Sequence, residues 1–178
     1  MYELFILGQL MDHSMTGYSL RKAFIAIAGG DQAISFGTLY PLLDKLEQAQ
    51  EISLSFKTVD NKRPQKLATI TDKGRNHFYE LINTTVAINK QTQLTFLMKV
   101  NFLHLLNQQQ QVFVLEDFQD FSKDKLQHLQ RRQADLKNNK HMVQADIDDV
   151  LLVKQLQIAW TQTQVDWVSQ LLKQRREA

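Results

Sequence analysis

Thr38, Tyr40 and Lys45 lie close together on one short segment, Ser35-Phe-Gly-Thr-Leu-Tyr-Pro-Leu-Leu-Asp-Lys-Leu46, and offer a hydroxyl, a phenol and an ammonium within about two helical turns. Side chains of this kind near a helix start suit an anionic or hydrogen-bonding partner. The free N–H groups and the positive end of the dipole favour the same partner. Ser35 is a good N-cap for such a helix. Phe36, Leu39, Leu43 and Leu46 recur at three- and four-residue steps, the stripe of a helix laid on a core. Pro41 breaks the pattern. It removes a backbone hydrogen bond, crowds the carbonyl of Gly37 and biases Tyr40 away from helical angles. A rule broken inside an otherwise consistent element points to a functional surface presenting Thr38, Tyr40 and Pro41. A kinked core helix is the other reading, and this stretch alone does not separate them.

A second group is basic. Lys57 to Arg75 holds six Lys or Arg against two Asp, and Lys57, Lys62, Arg63 and Lys66 are its first four bases. Over the whole chain the net charge is only +2, so placement carries more information than the total.

The elements that must position these groups can be read from periodicity. Tyr2 to Met11 is a helix, and Asp12-His13-Ser14 a turn. Gly17 to Ala28 is a second helix, capped by Thr16 or Ser14 and ended by Gly29-Gly30-Asp31. The helix after Ser35 is the third. Ile52, Leu54 and Phe56 then alternate with Ser53, Ser55 and Lys57, a half-buried strand. Asp60-Asn61 and Pro64 mark a turn, and Lys66 to Thr71 returns as a second strand. Thr71 or Asp72 caps a fourth helix with Phe78, Leu81 and Ile82. Helix, helix, helix, hairpin, helix is the plan of a winged helix-turn-helix, whose third helix enters the major groove.

After residue 88 the pattern is all helical. The expected fold is mostly α, with a winged helix-turn-helix over 1–88 carrying a two-stranded wing, and an all-α dimerisation part over 89–178. Thr92 to Leu106 is apolar on nearly every side. Gln108 to Lys137 is a longer helix, Asn138-Asn139-Lys140 a break, and Ile147 to Arg176 the last helix. Val153, Trp160 and Trp167 fall seven apart on one face of it, beside Leu156 and Leu171. A Leu/Trp stripe at this spacing reads as core or interface. With Leu94 and Leu97 it forms the expected dimer surface.

Composition narrows the function. Hydrophobic residues make up 43% of 178, with two prolines, which argues against a disordered chain. There is no Cys, hence no thiolate nucleophile, and the reducing cytoplasm is the expected compartment. The apolar start carries Glu3 and lacks a basic region, unlike a signal peptide. No apolar run approaches the ~20 residues of a membrane span. His13, His77, His104, His128 and His141 show no metal-ligand spacing, and no phosphate-loop or Gly-x-Ser-x-Gly motif is present. No metal, cofactor or catalytic residue is expected.

The chain resembles the PadR family of bacterial transcriptional regulators. Ile6-Leu-Gly-Gln-Leu followed by Thr16-Gly-Tyr-Ser-Leu20 is similar to the family's "ILGLL…HGYEL" opening. Phe36-Gly-Thr-Leu-Tyr-Pro-Leu-Leu-Asp-Lys-Leu-Glu47 is similar to its "GTIYPALKRLE" recognition helix. Lys62-Arg-Pro-Gln-Lys66 with Ile70-Thr-Asp-Lys-Gly74 is similar to the wing "GRPRKYYxIT" and the "TxxG" that follows. Phe96-Leu-Met-Lys-Val-Asn-Phe102 and Val165-Asp-Trp-Val168 resemble the helical C-terminal half of the longer subfamily, which includes phenolic-acid-responsive repressors and virulence-gene activators. Three positions depart: Lys62 and Gln50 stand where the family has Gly, and Leu67-Ala68 replace an aromatic pair.

The resemblance implies a dimeric regulator that reads a palindromic operator on double-stranded DNA with Ser35, Gly37, Thr38, Tyr40, Pro41 and Lys45. Gly37 permits close backbone approach, Thr38 can meet a phosphate or a thymine methyl, and Lys45 suits a phosphate. The wing bases Lys57, Lys62, Arg63 and Lys66 suit phosphate or minor groove. A small aromatic or phenolic effector is also implied, at the junction of the halves, with Phe96, Met98, Phe102, His104 and Trp160 as candidate lining or as filled core. Repression by such a dimer is the leading reading. An activator of the same family without an effector, or a winged-helix module that binds protein, are the alternatives.

Overall fold

The computed structural model describes residues 1–29, 33–57, 65–137 and 143–177. The turns proposed over residues 30–31, 60–64 and 138–140, and the bases Lys62 and Arg63, lie outside the described residues. The chain divides into two compact units, Met1–Asn107 and Gln108–Ala178. The sequence reading divides it at residue 88; the first unit also takes in the helix at 92–101.

In the first unit α1 spans Tyr2–Asp12, β1 Met15–Thr16, α2 Gly17–Ala28, α3 Phe36–Gln48, β2 Ile52–Lys57, β3 Gln65–Ile70, α4 Asp72–Ile82 and α5 Thr92–Asn101, with a 3-10 turn at Leu103–Leu105. The side-chain caps read from sequence are in place. Thr16 accepts the N–H of Ser19, Ser35 that of Thr38, and Thr71 that of Gly74. Each satisfies an N–H that the first turn leaves unpaired. Leu4, Phe5, Ile6, Leu7 and Leu10 of α1 are all buried, so α1 is the central rod of this unit. Leu20 and Phe24 of α2, Leu39, Leu43 and Leu46 of α3, and Phe78 and Ile82 of α4 complete the core.

The sheet has three antiparallel strands in the order β1-β3-β2. Thr16, expected as a cap, and Met15 before it pair with Leu67 and Ala68 as a third strand. A two-residue strand has no periodicity to detect. In β2 the alternation holds, but burial fades along it. Ile52 is buried, Leu54 half-buried and Phe56 73% exposed. The expected half-buried face thus does not extend to Phe56.

Two features fix the passage from α3 to the wing. The N–H of Glu51 reaches the Leu46 carbonyl at 2.9 Å and that of Gln50 reaches Glu47 at 2.8 Å, a Schellman ending with Gln50 at φ 59°. This is the position where the family has Gly, and the left-handed backbone explains that preference. Gly74 meets the same turn from α4. A Cβ there would stand 2.0 Å from the Glu51 carbonyl oxygen, a backbone atom that cannot step aside.

The segment read as one helix over Thr92–Leu106 is α5 followed by the 3-10 turn. Lys99 on α5 is buried, and its ammonium donates to the carbonyls of Ile82, at 2.9 Å, and Thr84. It thereby ties α5 to the C-terminal end of α4, where a cation is favoured.

The second unit is a pair of long antiparallel helices, α6 at Gln108–Lys137 and α7 at Gln144–Glu177. Gln119 Nε2 donates to Ser169 Oγ at 2.8 Å, and Gln164 Nε2 to Ser122 Oγ at 2.6 Å. Val114, Leu115 and Phe118 of α6 and Thr161, Val165, Val168 and Leu172 of α7 are buried. We expect Gly74→Ala to destabilise the protein by about 3 kcal/mol or more, since the intruding methyl must displace backbone. Urea unfolding checks this, and a loss under about 1 kcal/mol would contradict it.

Candidate nucleic-acid interface

The third helix shows two different sides. Leu39, Leu43 and Leu46 are buried, whereas Ser35, Gly37, Thr38, Tyr40, Pro41 and Lys45 are exposed. The helix runs unbroken through Pro41, so the expected kink does not end it. Phe36, expected on the core stripe, is 42% exposed. It belongs instead to a stack on the surface. The Arg21 guanidinium lies 5.2 Å from the centroid of its ring, and its ring lies 5.7 Å from that of Tyr40 at 24°. The Tyr40 ring in turn covers Gly17, where a Cβ would come within 3.1 Å of it. Arg21 Nε also donates to the Ile34 carbonyl at 3.2 Å. Arg21 and Phe36 thus tie the first turn of α3 to α2, and Tyr40 remains 38% exposed. Neither role was legible from helical spacing, because Phe36 fits the core stripe equally well.

Ser35 Oγ accepts from the Thr38 N–H at 3.1 Å and shares a hydrogen bond with Thr38 Oγ1 at 2.9 Å. The Thr38 hydroxyl is therefore held at the helix start, on an exposed residue. Gly37 has no side-chain neighbour closer than Ser35 Oγ, 3.8 Å from where a Cβ would lie, so its exposed backbone can be approached closely.

Two nominated lysines are ion-paired. Lys45 Nζ lies 2.7 Å from Glu3 Oε1 of α1, and Lys66 Nζ 3.1 Å from Asp44 Oδ1 of α3. The hydrogen bond from Lys45 holds the Glu3 carboxyl below its usual range, and the same bond raises the Lys45 ammonium. Nearby, His77 Nδ1 meets Glu51 Oε2 at 2.8 Å. Lys57 ends β2. Phe56, expected on the half-buried face, is 73% exposed on β2 opposite Lys66 in the register and adds an apolar group to the wing.

The residues nominated for an effector are placed differently. Phe96, Met98 and Phe102 are buried. Phe102 lies edge-on to Phe78 at 5.7 Å and fills the space over Gly8, where a Cβ would come within 2.5 Å of its ring. His104 is exposed, with Nε2 3.4 Å from Asp12 Oδ2. Trp160 is exposed in the second unit. A cavity of about 280 Å³ in the first unit is lined instead by Leu4, Leu81, Thr84, Val86, Thr95 and Lys99 among others.

Of the residues nominated for a dimer surface, Leu97, Val153, Leu156, Trp160 and Trp167 are exposed, and Leu94 and Leu171 half-buried. On α7 the exposed Val153, Leu156, Trp160 and Trp167 lie on a different face from the buried Thr161, Val165, Val168 and Leu172. No helix among the described residues is long and apolar enough to cross a membrane. No group of His, Asp or Glu among them could hold a metal ion.

A winged helix with its third helix exposed and capped defines a DNA-binding class of fold. Residues 6–80 match the profile of the transcriptional regulator PadR-like family, and residues 94–175 that of the virulence activator alpha C-term. The chain belongs to the PadR-like family of transcriptional regulators, in the longer form with a helical C-terminal half. It is similar to the negative transcriptional regulator PadR of Bacillus subtilis (strain 168), 24% identical over 143 residues, covering 80% of this chain and 75% of that one. Among solved structures it is similar to Bacillus subtilis PadR in complex with operator DNA, with 22% identity, a TM-score of 0.47 and 97% of each chain covered. The same protein in complex with p-coumaric acid gives 23% identity and a TM-score of 0.42, covering 99% of this chain and 96% of that one.

Because the Glu3 carboxyl is lowered, the pair's stabilisation is present above the usual carboxylate range and fades as pH falls through the lowered value. Because Lys45 is raised, it is lost at the other end only as pH rises through the raised lysine value. In Lys45→Gln we expect the Glu3 carboxyl to titrate at higher pH than in wild type. Side-chain NMR titration reads this directly; an unmoved Glu3 would show that the pair is not formed in solution.

Proposed function

We propose that this protein is a dimeric repressor that binds a palindromic operator through α3 and the wing. The observation that carries the reading is the exposed, Ser35-capped start of α3, which presents Gly37, Thr38, Tyr40 and Pro41. It lies in a stretch that matches a family of transcriptional regulators. Helix N-termini attract phosphate through free N–H groups and the dipole, and Thr38 and Tyr40 can reach base edges from the same place. Lys45, Lys57, Lys62, Arg63 and Lys66 meet backbone phosphate, with Arg63, the residue before Pro64 in the sequence, the best suited to the minor groove. The named relative is a negative regulator, which favours repression. The match of residues 94–175 to a virulence-activator profile supports activation as the second reading. In vitro transcription with and without the protein decides the sign.

Two operator half-sites call for two recognition helices, hence a two-fold dimer. The exposed Val153, Leu156, Trp160 and Trp167 face, with Leu171 and with Leu94 and Leu97 of α5, is the surface assigned to it. A small aromatic or phenolic effector that releases the operator is the final part of the proposal. It rests on the family resemblance, with Phe96, Met98, Phe102, His104 and Trp160 as its nominated contacts. The reducing cytoplasm is the proposed compartment.

Gel retardation on the DNA upstream of the protein's own gene, across a range of salt, tests the interface. Thr38→Ala should narrow the gap between operator and random duplex. The Lys62→Ala, Arg63→Ala double variant should weaken binding to every sequence and flatten the salt slope by about two. A double variant with unchanged affinity and slope would remove the wing from the interface. Leu156→Asp should give monomers in sedimentation that no longer retard operator DNA, and a variant that stays dimeric would contradict the α7 surface.

A further inference from the structure

Each lysine proposed above to meet phosphate, where its side chain is described, is held by a carboxylate of the same chain. Lys45 is paired with Glu3 and Lys66 with Asp44. The Lys45 pair is the closer and brings together two elements distant in sequence, α1 and α3. Thr38, Pro41 and Lys45 follow one another at three- and four-residue steps, so the Lys45 stem rises from the exposed side of α3. Its side chain is 70% exposed, whereas that of Glu3 is 30% exposed. The carboxylate is therefore the more enclosed partner and the ammonium the one open to a ligand from solvent.

We infer that Glu3 is an intramolecular competitor for the phosphate that Lys45 would otherwise hold, and so restrains the affinity of α3 for the DNA backbone. The inference rests on the reading of α3 as the DNA-facing helix. Two elementary facts support it. An exposed ion pair is weak, so a phosphate can draw Lys45 away from it. A lysine already neutralised by a carboxylate contributes less to the release of condensed counterions, and a carboxylate left beside a phosphate repels it. Glu3 is held in its ionised form chiefly by the hydrogen bond from Lys45, which outweighs the partial burial that opposes it. Glu51, which also faces Lys45, is engaged by His77 at 2.8 Å and is not a free substitute. The effect acts on backbone contact alone, so it applies to every sequence.

Fluorescence anisotropy of the full-length chain on a short random-sequence duplex, over a range of salt, tests this. Glu3→Gln should tighten binding about two- to five-fold per winged unit and steepen the logarithmic salt slope by up to about one. Lys45→Gln should weaken binding. In the Lys45→Gln background the Glu3→Gln gain should disappear, and Glu3→Ala should reproduce the gain in the native background. Thermal melts confirm that each variant is folded. If Lys45→Gln weakens binding and Glu3→Gln leaves it unchanged or weaker, the competitor role is wrong and the α3 reading survives. A gain that persists without Lys45 also overturns it, since it would report net charge alone. If neither single variant changes binding, the DNA-facing assignment of Lys45 fails and the inference falls with it.

Discussion

The carbonyl of Glu51 accepts the N–H of Thr71 at 3.0 Å, and the Thr71 hydroxyl points at the same oxygen and at the Gln50 carbonyl, at 3.0 and 2.7 Å. That small knot joins the end of α3, the start of β2, the end of β3 and the start of α4. It needs a left-handed residue at Gln50 and no side chain at Gly74. Lys73 adds a bond to the Ala49 carbonyl at 2.7 Å, and His77 holds the Glu51 carboxylate. The root of the wing is therefore fixed to the end of α3 by backbone groups. A winged helix can address groove and backbone together only if these two elements keep their angle, which makes this turn the constraint behind the rest of the surface.

At its other end α3 is fixed by side chains. The layered contact of Arg21, Phe36 and Tyr40 over Gly17 holds the first turn to α2, and Ser35 closes the cap. The proline sits between the two anchored ends. Its missing hydrogen bond costs stability in a helix, yet α3 remains continuous because Leu39, Leu43 and Leu46 are buried on the other side. Packing compensates for what the backbone lacks, and the exposed side is left for Thr38, Tyr40 and Lys45.

The second unit repeats this division on a longer scale. One face of α7 carries buried Val165, Val168 and Leu172, and another leaves Leu156, Trp160 and Trp167 in the open. A helix with two apolar faces shows little net amphipathicity, so periodicity alone could mark the Val153–Trp160–Trp167 stripe but could not say which face meets α6. The same limit explains Phe36 and Phe56. Both fit the spacing of a core face, and both are exposed in the fold, Phe36 on the stack with Arg21 and Tyr40 and Phe56 towards the end of β2. Lys99 is the reverse case, a lysine by type but buried, because the carbonyls of Ile82 and Thr84 satisfy its ammonium.

What the sequence alone determined is local. Thr16, Ser35 and Thr71 mark helix starts because a hydroxyl caps only N–H groups within its own turn. The alternation from Ile52 marks a strand because side chains on a pleat face opposite ways. The Ile6–Leu20 opening, the proline-bearing third helix and the wing with its "TxxG" together carry the family resemblance. The tertiary structure decided what depends on groups far apart in the chain. It set the third strand pairing Met15 and Thr16 with β3, the surface stack at Phe36, and the burial of Lys99. It also brought Glu3 against Lys45 across forty-two positions. Capping and pleating act over a few residues and leave a periodic trace. A contact between distant residues leaves none, because any exposed acid could meet any exposed base until the fold selects one.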